Sequence, residues 1–190
     1  EVICGPMFSG KSEELIKRLR RAKIAQKQIV TFKHAFDTER SHSQDITSHN
    51  GNVINALSIN KPEEIFKHIT PATQVVGIDE IQFFSKDIIS VVMQLLEAKK
   101  HVILAGLNLD FRSIPFAPMP ILIAIADEVV KLTAVCNGCG NDAYFSQRII
   151  NGIPAPFDSP VVQVGAREQY EARCRNCFVI NQEAVWQSLR

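Results

Sequence analysis

The sequence has no excess of charge of either sign, no long hydrophobic run and no repeated or low-complexity tract. Its 190 residues carry 21 basic and 20 acidic side chains, which gives a formal net charge of +1. This balance argues against a nucleic-acid coat protein and against a polybasic membrane binder. Hydrophobic residues make up 46% and charged residues 22%, so disordered, collagen-like and coiled-coil chains are excluded as well.

No segment is long and apolar enough to suggest a bilayer span. The longest charge-free apolar stretch, residues 113–126, is interrupted by Pro115, Pro118 and Pro120, whereas a spanning helix needs about 20 apolar residues. No secretory signal precedes the first predicted strand. We therefore expect no membrane partner and a cytoplasmic protein.

Buried strands alternate with helices over the first two thirds of the chain. Continuous apolar runs predict strands over residues 2–4, 29–32, 75–78 and 102–107. Apolar periodicity and capping signals predict helices over residues 12–26, 62–68 and 85–99. This alternation indicates an α/β domain with a mostly parallel sheet.

Two regions depart from that alternation. Residues 34–52 are polar and too long for a routine connection, so we expect a mobile loop or a hairpin there. After Val135, glycine, proline and short strands replace the helices. We therefore predict a larger α/β domain over residues 1–135 and a small domain over residues 136–190 that ends in a short helix over 181–189.

A glycine-rich motif follows the first predicted strand and opens the first predicted helix. The pattern G-x-x-x-x-G-K-[ST] is matched by Gly5, Pro6, Met7, Phe8, Ser9, Gly10, Lys11 and Ser12. In such a loop, backbone amides and the helix N-terminus surround a phosphate chain. We expect Lys11 to reach the β- and γ-phosphates of a nucleotide, and Ser12 to ligate Mg²⁺.

Two adjacent carboxylates end the strand predicted over residues 75–78. Asp79, at the carboxyl end of a parallel strand, is placed to hold the water shell of Mg²⁺. Glu80 is expected to point elsewhere and can act as a base. The residues alone leave two reactions open, because deprotonation of water gives an ATPase and deprotonation of a substrate hydroxyl gives a kinase.

Four of the five cysteines form two Cys-x-x-Cys pairs separated by 34 residues, and they are Cys136, Cys139, Cys174 and Cys177. Four thiolates at this spacing suit a structural, tetrahedral Zn²⁺, and a redox dithiol is the alternative. Without a secretory signal, a metal site in a reducing cytosol is favoured over disulfides. We expect the zinc to clamp the base of a projecting loop.

The first predicted helix has a basic face, formed by Lys17, Arg18, Arg20, Arg21 and Lys23. A solvated helix face is the favoured interpretation, and nucleic-acid binding is the alternative.

Four segments occur together in an order that is specific to one family. They are Gly-Pro-Met-Phe-Ser-Gly-Lys-Ser over residues 5–12, Asp-Glu-Ile-Gln-Phe-Phe over 79–84, Gly-Leu-Asn-Leu-Asp-Phe-Arg over 106–112, and the two cysteine pairs. This series closely resembles the thymidine kinase family in its zinc-containing form, type II. The resemblance implies a RecA-like phosphate-loop domain plus a small zinc domain whose loop covers the substrate.

The same resemblance implies a reaction and an assembly. Members of the family transfer the γ-phosphoryl group of ATP to the 5′-hydroxyl of thymidine with the help of Mg²⁺. They are commonly homotetramers and are inhibited by dTTP. We therefore expect ATP, Mg²⁺ and a structural Zn²⁺ as cofactors.

Carried over position by position, the resemblance also assigns residues to ATP and Mg²⁺. These are the eight residues of the glycine-rich motif together with Asp79, Glu80, Ile81 and Gln82. Glu80 becomes the base that takes the proton of the 5′-hydroxyl. A further nucleotide-contacting segment corresponds to Asp37, Thr38 and Glu39.

The nucleoside site is assigned in the same way. Phe111 corresponds to a wall of the thymine pocket. A loop that covers the nucleoside and bonds it through main-chain atoms corresponds to Val161, Val162, Gln163, Val164, Gly165 and Tyr170. The chain departs from the family at two points, because Asn108 stands where many members carry Asp and Ala166 replaces a glycine.

The alternative function is a zinc-ribbon ATPase that acts on nucleic acid. It accounts for the phosphate loop, the carboxylates Asp79 and Glu80, the cysteines and the basic helix. It does not account for the phenylalanine-rich segments or for the loop over residues 161–170. We therefore expect thymidine as the substrate and no nucleic-acid partner.

Overall fold

A six-stranded sheet forms the centre of the molecule, and all its strand pairs are parallel. The computed structural model describes residues 1–36, 45–47, 51–161 and 169–179. In chain order the elements are β1 (Val2–Gly5), α1 (Lys11–Ile24), β2 (Ile29–His34), β3 (Ile46–Thr47), β4 (Val53–Ile54), β5 (Leu57–Ile59), β6 (Val75–Asp79), α2 (Asp87–Glu97), β7 (His101–Leu107), α3 (Met119–Ile125), β8 (Val129–Lys131), β9 (Ala134–Val135), β10 (Asp142–Ala143), β11 (Phe145–Ile150), β12 (Ile153–Pro154) and β13 (Gln169–Arg173). Two short 3₁₀ helices cover Pro62–Lys67 and Ile81–Phe83.

The strand order is β5-β2-β6-β7-β1-β8, so the first strand of the chain lies inside the sheet between two late ones. In register, Cys4 of β1 is opposite Gly106 of β7 and Lys131 of β8. Every residue of β1 and β6 is buried. Such strands are apolar over most of their length because helices cover both faces of the sheet.

Helix α1 covers one face of the sheet. Its apolar residues Leu15, Ile16 and Leu19 are buried against strand residues that include Ile3 and Ile103. A Cβ atom on Gly77 of β6 would lie 2.8 Å from Leu19 Cδ1. The absence of a side chain at this position therefore lets α1 approach the sheet closely.

Helices α2 and α3 cover the opposite face. Ile88, Val91, Val92 and Leu95 of α2 pack with Met119 and Leu122 of α3 over the sheet residues Val76, Ile78 and Leu104. Full burial of one such side chain is worth about 1.5–3 kcal/mol. The predicted α/β class, with a mostly parallel sheet, is confirmed.

The chain after β8 forms only short antiparallel strands. Strands β9 and β10 pair as a hairpin, and β11 lies between β12 and β13 in a three-stranded sheet. A separate small core contains Ala134, Cys136, Ala143, Ala172 and Cys174. The position of a domain boundary near Val135 stays a prediction.

Several predicted elements differ in detail from the observed ones. The segment predicted as a helix over residues 62–68 is a 3₁₀ helix over Pro62–Lys67, in which only Pro62 and Ile65 are buried. The described part of the polar region 34–52 contains β3, which pairs antiparallel with β4 just after the region. The terminal helix predicted over residues 181–189 lies outside the described residues. Within the described ranges, no helix has both the length and the apolarity that a membrane span needs.

Candidate active site

Three loops leave the carboxyl edge of the sheet from the adjacent strands β1, β7 and β6. The phosphate loop follows β1, residues 80–84 follow β6 and residues 108–116 follow β7. The carboxyl edge of a parallel sheet is where α/β proteins bind their ligands. The fold therefore brings the segments singled out in the sequence to one place.

The phosphate loop turns directly into α1. Gly10 is the N-cap residue of α1 with a φ of 79°, and Gly10 O accepts the Glu14 amide at 3.0 Å. Pro6 O accepts the Ser9 hydroxyl at 2.8 Å and the Lys11 ammonium at 2.7 Å. The loop thus folds around the Lys11 side chain, with the helix N-terminus at its open side.

Lys11 lies close to both candidate carboxylates. Burial lowers the pKa of Lys11, and the negative charges of Glu80 and Asp79 oppose that shift. A partly desolvated ammonium gains when an anion binds beside it. This arrangement favours a phosphate group at Lys11.

Asp79 is the last residue of β6 and is almost fully buried. Burial raises the pKa of Asp79 to about 7, and the neighbouring Glu80 carboxylate adds to the shift. A hydrogen bond from the Ser12 hydroxyl and the charge of Lys11 oppose it. Ser12 and Asp79 therefore meet as a pair of oxygen ligands, which suits Mg²⁺.

Glu80 is turned away from Asp79 by its backbone. Its φ of 52° and ψ of 38° are left-handed, and its amide donates to Asp79 Oδ1 at 3.0 Å. The side-chain Nε2 of Gln82 donates to Glu80 Oε2. Its Oε1 atom accepts the backbone amide of Leu107 at 2.9 Å. Gln82 therefore ties the Glu80 carboxylate to the end of β7.

The segment after β7 is held by Asp110. Its Oδ1 atom accepts the amides of Arg112 at 2.8 Å and Ile114 at 3.0 Å, and its Oδ2 atom binds the Arg112 guanidinium at 2.9 and 2.7 Å. Phe111, in the middle of this turn, is 5% exposed. Asn108 Oδ1 is buried and has no hydrogen-bond partner in the described part of the chain.

Strand β11 makes two contacts with the site that the sequence did not predict. Ser146 Oγ accepts the amide of Met7, in the phosphate loop, at 2.9 Å. The guanidinium of Arg148 lies 5.4 Å from the centre of the Phe111 ring. The available signal was the polar run Ser146, Gln147 and Arg148 within a buried strand.

The four cysteines meet in one cluster. The sulfur atoms of Cys136, Cys139, Cys174 and Cys177 lie within 4.8 Å of one another, with 3.5 Å between Cys139 Sγ and Cys174 Sγ. In a zinc tetrahedron with bonds of about 2.3 Å, the sulfurs are about 3.8 Å apart. All four thiols are free. The donor set and its geometry fit a four-coordinate Zn²⁺.

The electrostatics of the cluster also fit a cation. Backbone amides, first that of Cys174, lower the pKa of Cys136 to about 6. Hydrogen bonds with the neighbouring thiols, first that of Cys139, raise the pKa of Cys177 to about 12. Four thiols that lie this close together can all be ionised only with a positive charge between them.

Part of the predicted nucleoside and nucleotide site lies outside the described residues, namely Asp37, Thr38, Glu39, Val162, Gln163, Val164 and Gly165. Tyr170 lies in β13 directly opposite Arg148 of β11. Val161 is the last described residue before the loop and is half-buried. The Arg148 guanidinium of β11 also donates to Pro160 O, next to Val161, so the two ends of the predicted substrate loop both lie beside β11.

A model of one family, "TK: Thymidine kinase", matches residues 1–178. The chain belongs to the thymidine kinase family. This assignment makes the protein an ATP-dependent nucleoside kinase, and it supports phosphorylation of thymidine by ATP with a requirement for Mg²⁺. The cysteine cluster is compatible with the zinc-containing type II form of the thymidine kinases.

Nothing in the described residues favours the alternative, an ATPase that acts on nucleic acid. On the basic face of α1, Lys17 pairs with Glu14 at 3.0 Å, Arg18 pairs with Glu14 at 3.0 Å and with Glu128 at 2.8 Å, and Arg20 donates to Asn52 at 2.8 Å. Lys17 and Arg18 are thus paired with carboxylates of the kinase itself, and Arg20 with a neutral amide, which agrees with a solvated helix face.

Proposed function

We propose that this enzyme transfers the γ-phosphoryl group of ATP to the 5′-hydroxyl of thymidine, giving dTMP for nucleoside salvage. The observation that carries the proposal is the meeting of Lys11, Asp79 and Glu80 at the carboxyl edge of the sheet. Phosphoryl transfer needs a cation on the phosphates, a ligand for Mg²⁺ and a group that accepts the proton of the attacking hydroxyl. These three side chains supply one of each.

In this proposal, residues 5–12 hold the triphosphate of ATP. Lys11 exchanges its bond to Pro6 O for phosphate oxygens, and the N-terminal amides of α1 face the same anion. Ser12 and Asp79 would hold Mg²⁺, which would neutralise charge on the phosphates. Further contacts to ATP are assigned to Ile81, Gln82, Asp37, Thr38 and Glu39.

Glu80 is the proposed general base. Its Oε2 atom accepts from Gln82, and its Oε1 atom accepts no hydrogen bond from the residues that the structure describes. As the 5′-oxygen bonds to the γ-phosphorus, its proton moves to the Glu80 carboxylate. The bond from the γ-phosphorus to the bridging oxygen breaks at the same time, and ADP leaves with that electron pair.

The thymine ring is proposed to lie against Phe111, under a loop formed by Val161, Val162, Gln163, Val164 and Gly165 and followed by Tyr170. Valine and glycine have no polar side-chain atoms, so such a loop hydrogen-bonds a ligand through its N–H and C=O groups. Thymine offers an acceptor at O4 and a donor at N3, which an extended backbone matches. A closed loop also keeps water away from the transferred phosphoryl group.

Cys136, Cys139, Cys174 and Cys177 are proposed to hold one structural Zn²⁺. The cluster ties the turn after β9 to the turn after β13, and Asn137 reinforces this link through bonds of 2.8 Å to both the amide and the carbonyl of Ala172. All four ligands come from the chain, so the metal has no open position for substrate.

From the family resemblance we also propose a cytoplasmic homotetramer that is inhibited by dTTP. Exposed apolar side chains on α2 and α3 support an association surface, and they are Met93, Ile121 and Ile125. Light scattering on the purified enzyme tests the tetramer, and product formation in the presence of dTTP tests the inhibition.

The test of the main proposal is ATP turnover measured alone, with each nucleoside and with DNA. We expect ADP and dTMP to appear in equal amounts with thymidine, and little ADP to form without it. ADP formation that is stimulated by DNA and not by thymidine would overturn the proposal in favour of the nucleic-acid ATPase.

A further inference from the structure

Two arginines and two phenylalanines form a cluster between the Phe111 turn and the approach to the substrate loop. The guanidinium carbons of Arg148 and Arg112 lie 5.4 and 5.8 Å from the centre of the Phe111 ring. Arg112 also lies 5.4 Å from the centre of the Phe157 ring. Each distance is within the range of a cation–π contact.

We propose that Arg148 is a positioning residue that fixes the thymine wall, Phe111, to both ends of the substrate loop. The inference rests on the proposed function, in which Phe111 and the loop bind the nucleoside. It assigns no chemical step to Arg148. Its role is to hold two parts of the nucleoside pocket, which come from separate stretches of chain, in one arrangement.

The contacts of Arg148 with the chain on both sides of the loop support this role. Its guanidinium donates to Pro160 O at 2.6 Å, immediately before the loop begins. Its backbone carbonyl accepts the Ala155 amide at 2.9 Å. In the pairing of β11 with β13 it is opposite Tyr170, immediately after the loop. One residue therefore fixes the chain before and after residues 161–168.

Arg112, next to Phe111 in the turn, also connects this turn to the chain that leads into the loop. Asp110 holds its guanidinium through two bonds of 2.9 and 2.7 Å. In that position the guanidinium reaches Phe157, which lies on the approach to the loop. The Phe111 turn therefore contacts the approach to the loop through Phe157 and through Arg148.

Stability alone does not account for Arg148. Its side chain is among the largest that are fully buried, at 1% exposure. Burial of a guanidinium removes it from water at a cost, and an apolar side chain of similar volume often stabilises a protein as well or better. A buried arginine with contacts to Phe111 and Pro160 is better explained by the geometry that it imposes on the pocket.

The test compares Arg148→Met and Arg148→Lys with the unaltered enzyme in steady-state kinetics. Methionine fills space without donating to Pro160 or stacking on Phe111 as a cation, so we expect the KM for thymidine to rise about tenfold. The KM for ATP and kcat should each change less than about twofold. Lysine keeps the positive charge but not the planar guanidinium group, so we expect Arg148→Lys to have a KM for thymidine between those of Arg148→Met and the unaltered enzyme.

The outcomes separate this inference from the proposed function. If the unaltered enzyme does not phosphorylate thymidine, the proposed function fails, and the inference fails with it. If the unaltered enzyme is active and Arg148→Met leaves the KM for thymidine unchanged, only the inference fails. An equal rise in the KM for thymidine and in the KM for ATP would show a merely structural role for Arg148 and would also overturn the inference.

A second variant keeps the test decisive if Arg148→Met does not fold. Phe157→Leu removes the ring beside Arg112 from a half-buried position, and we expect it to raise the KM for thymidine about threefold. Ile153→Ala, at an exposed position in β12, is the matched control and should leave this KM unchanged. Arg148→Lys then carries the test of Arg148 itself, and an unchanged KM for thymidine in both Phe157→Leu and Arg148→Lys would overturn the inference.

Discussion

Glu80 adopts a backbone conformation that few residues with a side chain adopt. A left-handed φ at a residue other than glycine costs on the order of 1–3 kcal/mol, and surrounding contacts must maintain it. Here the Asp79 carboxylate accepts the Glu80 amide and Gln82 holds the Glu80 side chain. The strained residue separates two adjacent carboxylates, so that Asp79 faces Ser12 and Glu80 faces Gln82.

Replacement of Glu80 by glutamine tests the proposed base. Glutamine keeps the size of the side chain but cannot accept a proton at neutral pH. We therefore expect Glu80→Gln to lower kcat for dTMP formation by roughly 10²–10⁴-fold, with ATP affinity preserved. Steady-state kinetics and a binding titration with an ATP analogue measure the two quantities.

The control for this variant is Glu97→Gln, which neutralises an exposed carboxylate on α2. It should retain full activity. An equally active Glu80→Gln enzyme would show that another group takes the proton.

The residues of the site differ in how far the sequence could predict them. The phosphate loop, Asp79 and Glu80 are contiguous in the chain, so their motifs carry their own structural context. Ser146 and Arg148 contact Met7 and Phe111 across large sequence separations. Such contacts depend on how the small sheet packs against the large one, which no local pattern records.

At the scale of the elements, the 3₁₀ helix Ile81–Phe83 lies directly against β7 at Gly106. A Cβ atom there would lie 2.5 Å from Gln82 Oε1 and 2.7 Å from Ile81 Cγ2. Gly106→Ala should therefore displace Gln82 and with it the Glu80 carboxylate. We expect kcat to fall about 10²-fold, the effect of about 1 Å of misplacement at a catalytic group.

Gly77→Ala provides the matched comparison, because its Cβ would clash with Leu19 on α1, away from Gln82. We expect a loss of stability of about 1–3 kcal/mol from overpacking, measured by thermal unfolding, with kcat nearly unchanged. A similar kcat for both alanine variants would contradict the role of Gln82 in positioning Glu80.

Long apolar strands and amphipathic helices were the elements that the sequence predicted best. The runs over residues 29–32 and 75–78 became β2 and β6, and the pattern over 85–99 became α2. The edge strands β5 and β8 have three residues each, too few for a periodic signal. Helix α3 was missed because Pro118 and Pro120 suggested a break, although they stand at the start of the helix, where proline is tolerated.

The proposed zinc site can be removed by a single cysteine substitution that leaves the residues of the large sheet unaltered. We expect Cys174→Ser to reduce zinc from about one per chain and to lower the melting temperature, because metal binding is coupled to folding. Cys4→Ala, which alters the buried cysteine outside the cluster, should keep its zinc. Full zinc content in Cys174→Ser, or a disulfide in the unaltered protein, would contradict the site.

At the scale of the whole molecule, the proposed function makes substrate choice depend on Phe111, after β7, together with the loop over residues 161–170. A loop that reads thymine through main-chain groups leaves two of them unpaired against cytosine, which has a 4-amino donor and a bare N3. Each mismatch costs about 1–3 kcal/mol, so deoxycytidine should be disfavoured by a factor on the order of a hundred. A kcat/KM panel over thymidine, deoxyuridine and deoxycytidine measures this, and comparable values for deoxycytidine would show that the loop does not read the base in this way.

The position of β1 inside the sheet affects how the enzyme is made on the ribosome. Strand β1 pairs with β7 and β8, whose residues lie about 100 or more positions later in the chain. At a translation rate of about 5–20 residues per second, on the order of ten seconds pass between the synthesis of β1 and that of both strands that flank it. During that interval β1 lacks both of its partner strands, and an apolar strand with unpaired backbone groups is prone to aggregate.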